Sequence, residues 1–322
     1  MPNPFQLESA DEYMHSNSGE SNFNESMYFN FFDFERQQGG FLRIGNRPNE
    51  GFAETTLCLF RPGRDVLFQF ARPAIQGNDR FEAGGVHFEV EEPFEQLNVS
   101  YRGRACRLVR PMDMSDPRQA FASNPSVPVE VDLAIRAVAP PCGGERRAGA
   151  SGSHESEFAR GHYEQHHRAT GSLEIDGERS GFDGLGLRDH SWGPRSWQAP
   201  SYYRWLTANF GDDWGFAASW IAGRDGSEIR GGFVHRNGKL TLLRDVAIET
   251  ESVGDEQVHD HIVASLYCSD GEVLNVEGRV LSLIPLRNRR GGRTTRISEG
   301  LTEWTCNRRT GYGLSEYLDQ LD

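Results

Sequence analysis

From Val129 to Arg136 the chain reads Val-Glu-Val-Asp-Leu-Ala-Ile-Arg, with an apolar residue at every second place. Period-two alternation is the signature of a strand with one face buried. Similar runs recur at 66–70, 86–90, 97–101, 216–221, 240–248 and 262–268. The pairs Asp176-Gly177, Asp225-Gly226, Asn237-Gly238 and Asp270-Gly271 fall between such runs. Pairs of this kind supply the positive φ angles of tight hairpins. No segment carries a sustained helical stripe with a matching cap and stop, so helices are expected to be short and peripheral, with one turn at the end of 313–321. The prediction is an all-β, antiparallel chain.

About eight strand-like runs precede Cys142 and about eight follow Tyr202, and a length of 322 residues allows two domains with their own cores. A hairpin over 171–187 leads straight into the segment 189–193, which places the boundary beside it: domain one at 1–193, domain two at 194–322. The stretch 142–161, rich in Gly, Ser, Arg and Glu without alternation, is expected to be a mobile loop or linker.

Composition removes several classes of function. Lys and Arg total 34 against 47 for Asp and Glu, a net charge of −13, which opposes nucleic acid or an anionic membrane as the main partner. Arginines 287, 289, 290, 293 and 296, interleaved with Gly291 and Gly292, are expected to form a solvated loop. The five cysteines are scattered, with no Cys-x-x-Cys pair, so a disulfide framework or structural zinc site is not expected. The opening residues lack a basic start followed by an apolar core, and no run reaches the roughly 20 apolar residues of a membrane span. A cytoplasmic protein with no membrane span is the expectation.

Chemistry concentrates in Gly186–Gly193, Gly-Leu-Arg-Asp-His-Ser-Trp-Gly. On a strand His190 and Trp192 share one face, while Asp189 and Ser191 share the other. An imidazole carries protons near neutral pH, and an indole face stabilises a nearby cation by about 0.5–2 kcal/mol. Tryptophans 192, 197, 205, 214 and 220 crowd the same region with Tyr202 and Tyr203. Trp205 and Trp220 sit in alternating runs and fit a β core. Trp192 and Trp197 flank Pro194 in what reads as an irregular segment and are expected to line a pocket. Ser191 lacks the Gly-x-Ser-x-Gly elbow of a serine nucleophile. His162, His166 and His167 have a zinc spacing that suits a helix, not a strand, and His259-Asp260-His261 lacks a third ligand. Gly184 and Gly186 do not make a dinucleotide loop and no Walker-type loop is present, so neither a cofactor nor a metal is expected.

Arg188-Asp189-His190-Ser191-Trp192-Gly193 resembles the Asp-His-x-Trp element of the carotenoid hydratase (hydroxyneurosporene synthase) group, a lipocalin-like superfamily that includes fungal Diels–Alderases. Asn24–Phe31 and Gly311–Tyr317 look like bacterial proteins of unknown function similar to that group. The resemblance implies two lipocalin-like antiparallel barrels or sandwiches in tandem, with few short helices, around a hydrophobic cavity and without a cofactor. In the hydratases the His and Trp are thought to act with a downstream Tyr-x-Asp pair, which 216–219, Phe-Ala-Ala-Ser, does not supply. The acid is then sought in His190, Asp189 or Glu316, with Asp213 behind them. Trp192, Trp197, Tyr203, Tyr317 and Tyr28 are the expected substrate contacts, with Asn24 and Glu25 as lesser candidates. The expected activity is a hydratase, dehydratase or isomerase acting by acid–base catalysis on a terpenoid-, steroid- or polyketide-like molecule, in a cavity near the domain junction. Asp189 would fix the His190 tautomer and Trp192 would shield the cation. The rival readings are a carrier that leaves its hydrophobic ligand unchanged and a pericyclase that works by cavity shape.

Overall fold

The computed structural model describes residues 5–17, 19–146 and 159–321. Its chain divides into two compact units, one of 1–59, 67–107 and 126–196, the other of 60–66, 108–125 and 197–322. Two excursions of the N-terminal half, 60–66 and 108–125, are thus counted with the second unit.

The first unit is built from β1 (Phe5–Gln6), β2 (Phe23–Asp33), β3 (Gln38–Arg47), β4 (Phe52–Arg61), β5 (Asp65–Ala71), β6 (Phe81–Ala83), β7 (Val86–Glu92), β8 (Gln96–Leu108), β9 (Ser126–Ala137), β10 (Cys142–Arg146), β11 (Gly161–Ile175) and β12 (Glu178–Pro194). These strands make one 12-stranded sheet. Strand β9 pairs with both β8 and β11, so the path β11-β12-β2-β3-β4-β5-β8-β9 returns to its start and the sheet curls into a ring. Inside it pack Phe29, Leu42, Leu57, Val99, Val131 and Leu173 with their neighbours. Alternation is what builds this core, because one parity of each strand points inward.

The second unit is a closed antiparallel barrel of β13 (Pro200–Asn209), β14 (Trp214–Gly223), β15 (Glu228–Arg236), β16 (Lys239–Val253), β17 (Val258–Cys268), β18 (Val273–Arg290), β19 (Arg293–Cys306) and β20 (Arg309–Gln320). Its core includes Leu206, Phe216, Ile262, Leu266 and Trp304. The chain is therefore all-β and antiparallel. Among the described residues helix is confined to short pieces at Ser9–Glu12, Pro111–Ser115 and Pro117–Ser123. No helix among the described residues is long and apolar enough to cross a membrane.

Each alternating run noted above lies in a strand, and Asp176-Gly177 and Asn237-Gly238 turn with both residues at positive φ. Three expectations need correction. Residues 313–321 do not end in a helical turn, because β20 runs on to Gln320 between β13 and β19 and spends its backbone groups on the ladder. The arginine-rich stretch is the tip of the β18–β19 hairpin, where Arg287 pairs with Glu256 and Arg296 with Asp319. Of 142–161, β10 is a strand paired to β11, while 147–158 lie outside the described residues. Among the described residues no cysteine is joined to another by a disulfide.

Candidate active site

Three cross-strand rows on the inner face of the first unit build the site. Glu25, Trp192 and Gly161 form one row, Met27, His190 and Tyr163 the next, and Phe29, Arg188 and Gln165 the third. Directly opposed residues project to the same face, so these side chains converge. Gly161 makes room for the indole: a Cβ there would lie 2.2 Å from Trp192 Cε2.

The short helix Ser9–Glu12 and the residues after it supply the remaining parts. Glu12 has no exposed surface and accepts two bonds from the Arg188 guanidinium, at 2.5 and 2.8 Å. It also accepts from Tyr163 Oη at 2.8 Å and from the Phe94 amide at 2.7 Å. Arg188 also donates to Gln165 Oε1 and, at 3.3 Å, to Tyr163 Oη. Glu25 accepts from His190 Nε2 at 2.7 Å, His15 Nδ1 at 2.9 Å, the His15 amide at 2.8 Å and Asn78 Nδ2 at 3.2 Å. The other nitrogen of His190 lies 3.4 Å from Tyr163 Oη. The His15 ring stacks on the Trp192 indole at 3.8 Å, and His190 meets the same indole edge-on at 5.3 Å. Trp192 Nε1 donates to Glu145. One polar chain thus runs Glu25–His190–Tyr163–Glu12–Arg188.

Burial alone would raise the carboxyl of Glu25, but hydrogen bonds and charge from His15 and His190 outweigh it and hold the group at about 2. Glu12 is likewise lowered, its burial overcome by Arg188 and Tyr163. His15 is raised, because Glu25 and Asp11 outweigh the burial of its ring. Burial lifts the Tyr163 phenol well above its usual range. A carboxyl depressed in the folded state stabilises above its ordinary value and loses that contribution as pH falls. Urea midpoints should therefore drop as pH falls from 4.5 toward 2, the interval between the ordinary and the folded value of Glu25. Glu25→Gln should flatten that part of the profile; an unchanged slope would mean that other carboxyls carry it.

The structure separates several residues that sequence reasoning grouped. Asp189 is on the outer face, where it pairs with His162, so Glu25 and not Asp189 holds the His190 ring. His162 is held above its usual range, at about 9, by the charge and hydrogen bond of Asp189. Tyr28 opposes Asp189 across the ladder and stacks on Phe41, on the face away from His190. Trp192 is in the regular part of β12. Trp197, Tyr203, Glu316 and Tyr317 belong to the second unit. There Tyr203 Oη donates to Glu316, while Tyr317 points the opposite way and stacks on His259 at 4.0 Å. Glu316 and Tyr317 are chain neighbours in a strand and cannot serve one face.

Glu12, His15, Tyr163, Gln165 and Asn78 were missed. One signal was present in β11, where Tyr163, Gln165 and His167 share the parity of Ala169, Leu173 and Ile175. Polar residues on the apolar parity of a strand mark a buried network.

Two antiparallel β units with these interiors are lipocalin-like in architecture. The chain belongs to the family described as a domain of unknown function, DUF7064, whose model matches residues 8–321. No curated protein sequence matches it. Among solved structures it is similar to a Nitrosomonas europaea protein with a provisional AttH designation, at a TM-score of 0.62 and 14% identity over 98% of this chain and 97% of that one. Kievitone hydratase from Nectria haematococca gives 0.59 and 13% identity, over 98% of each chain. CghA, solved with Sch210972, gives 0.56 and 13% identity over 92% of this chain and 88% of that one. The likeness establishes a shared fold.

Proposed function

We propose that the protein is a cofactor-independent hydratase or dehydratase of a hydrophobic, terpenoid-, steroid- or polyketide-like small molecule. The observation that carries this reading is the buried chain Glu25–His190–Tyr163–Glu12–Arg188 beside an indole face, in a fold shared with a hydratase. In the hydration direction His190 gives a proton to an alkene carbon, water adds to the resulting cation, and the proton lost by that water returns to the imidazole. Dehydration is the reverse. Glu25, ionised through its contacts, orients the ring, as a carboxylate does behind a catalytic histidine. Trp192 shields the cation. Tyr163 links the ring to Glu12 and Arg188.

His190 is fully buried and His15 covers the indole, so turnover requires His15 to leave Trp192. The same burial favours the carrier as second reading, since a structural network needs no opening. Native mass spectrometry of protein purified from its own host identifies the bound molecule, and turnover of that molecule is then assayed. His190→Gln should reduce kcat by about 10²–10⁴ with the fold intact. Full activity in that variant removes His190 from the chemistry. A ligand bound and released unchanged makes the protein a carrier.

A further inference from the structure

We infer that His15 Nδ1, His190 Nε2 and Glu25 Oε1 form a binding site for a divalent transition-metal ion, zinc foremost, which would staple the N-terminal segment 8–17 to the strand wall. One ligand atom from each of these residues lies within 4.8 Å of the other two, and both imidazoles meet Glu25 at Oε1. They come from the N-terminal segment, β12 and β2, so no short motif announces them. Zinc bonds of 2.0–2.2 Å in a tetrahedron set ligand atoms about 3.3 Å apart. The nitrogens stand 2.7 and 2.9 Å from Glu25 Oε1, so the site accepts the ion after opening by about half an ångström.

The outer contacts fit a metal site as well as the inner ones. His15 turns Nε2 to Asp11 at 3.3 Å, and His190 turns Nδ1 to Tyr163, which is itself tied to Glu12. The second oxygen of Glu25 is fixed by Asn78 and the His15 amide. Metal-binding histidines are usually oriented through their second nitrogen in this manner. Two imidazoles and a carboxylate favour zinc or copper over magnesium or calcium, and leave the fourth corner to water. The inference stands apart from the proposed reaction, because binding is read without turnover. Should that reaction hold, the ion would occupy the nitrogen that Glu25 orients and keep His15 over the indole, and so inhibit.

The full chain, stripped by chelator, is titrated with Zn²⁺ against a chromophoric competitor, and with Co²⁺ to read coordination by visible absorption. Hydrogen exchange of residues 8–17 is followed with and without zinc. One ion per chain, a tetrahedral cobalt spectrum and slower exchange at 8–17 are expected. His15→Ala and Glu25→Gln should abolish all three. Asp11→Asn, which leaves every ligand in place, should weaken binding about 10–100-fold. Two other donor clusters, His162 with Glu164 and Asp189, and Cys268 with Asp270 and Glu272, supply the controls. The inference is overturned if no stoichiometric ion binds, or if binding survives His15→Ala and Glu25→Gln and instead falls with His162→Ala or Cys268→Ser.

Discussion

Glu12→Ala is expected to destabilise the first unit by about 3–5 kcal/mol, because it strands a guanidinium that has almost no contact with water. Arg188 is 1% exposed and Glu12 is fully buried. The carboxylate takes both ends of the guanidinium fork together with the Tyr163 hydroxyl and the Phe94 amide. With Glu12 gone, Gln165 and Tyr163 remain as neutral partners of the cation. The test is a double-mutant cycle in urea: Arg188→Met in the Glu12→Ala background removes the orphaned charge and should recover a large part of the loss. Additive losses would show that the pair is not what holds this end of the unit together.

Trp304→Ala should cost the second unit a comparable 3–5 kcal/mol, but through packing alone. The indole is fully buried in the barrel core, edge-on to Phe216 at 5.5 Å. Gly278 lies opposite it on β18, where a Cβ would come within 2.6 Å of the ring. Among the described residues Trp304 Nε1 has no hydrogen-bond partner, so its removal breaks no polar network there. Trp304→Phe keeps an aromatic ring beside Phe216 and should cost clearly less. Chemical denaturation followed by near-ultraviolet dichroism measures both. An alanine variant as stable as the parent would mean that the barrel collapses into the space, which its backbone ladder opposes.

The secondary structure was legible because it rests on local signals. The run 129–136 is β9, and Asn237-Gly238 turns β15 into β16 through two positive φ angles. Strand parity likewise set His190 and Trp192 on one face, and their rings lie 5.3 Å apart. The partners of those rings were not legible. Glu25 is 165 positions from His190, and Glu12 is 176 from Arg188. Asp189 adjoins His190 in the chain and was the natural choice for its partner, yet a strand sends it to the other face, where it meets His162.

The sequence by itself determined an all-β chain, its hairpins and which side chains share a face, since alternation and turn chemistry act over a few residues. Only the tertiary structure decided which carboxylates meet His190 and Arg188. Those contacts depend on strand order, register and the course of the segment around Glu12 and His15. Ring closure through β9 and the docking of that segment set them, and both are collective outcomes that no local run encodes.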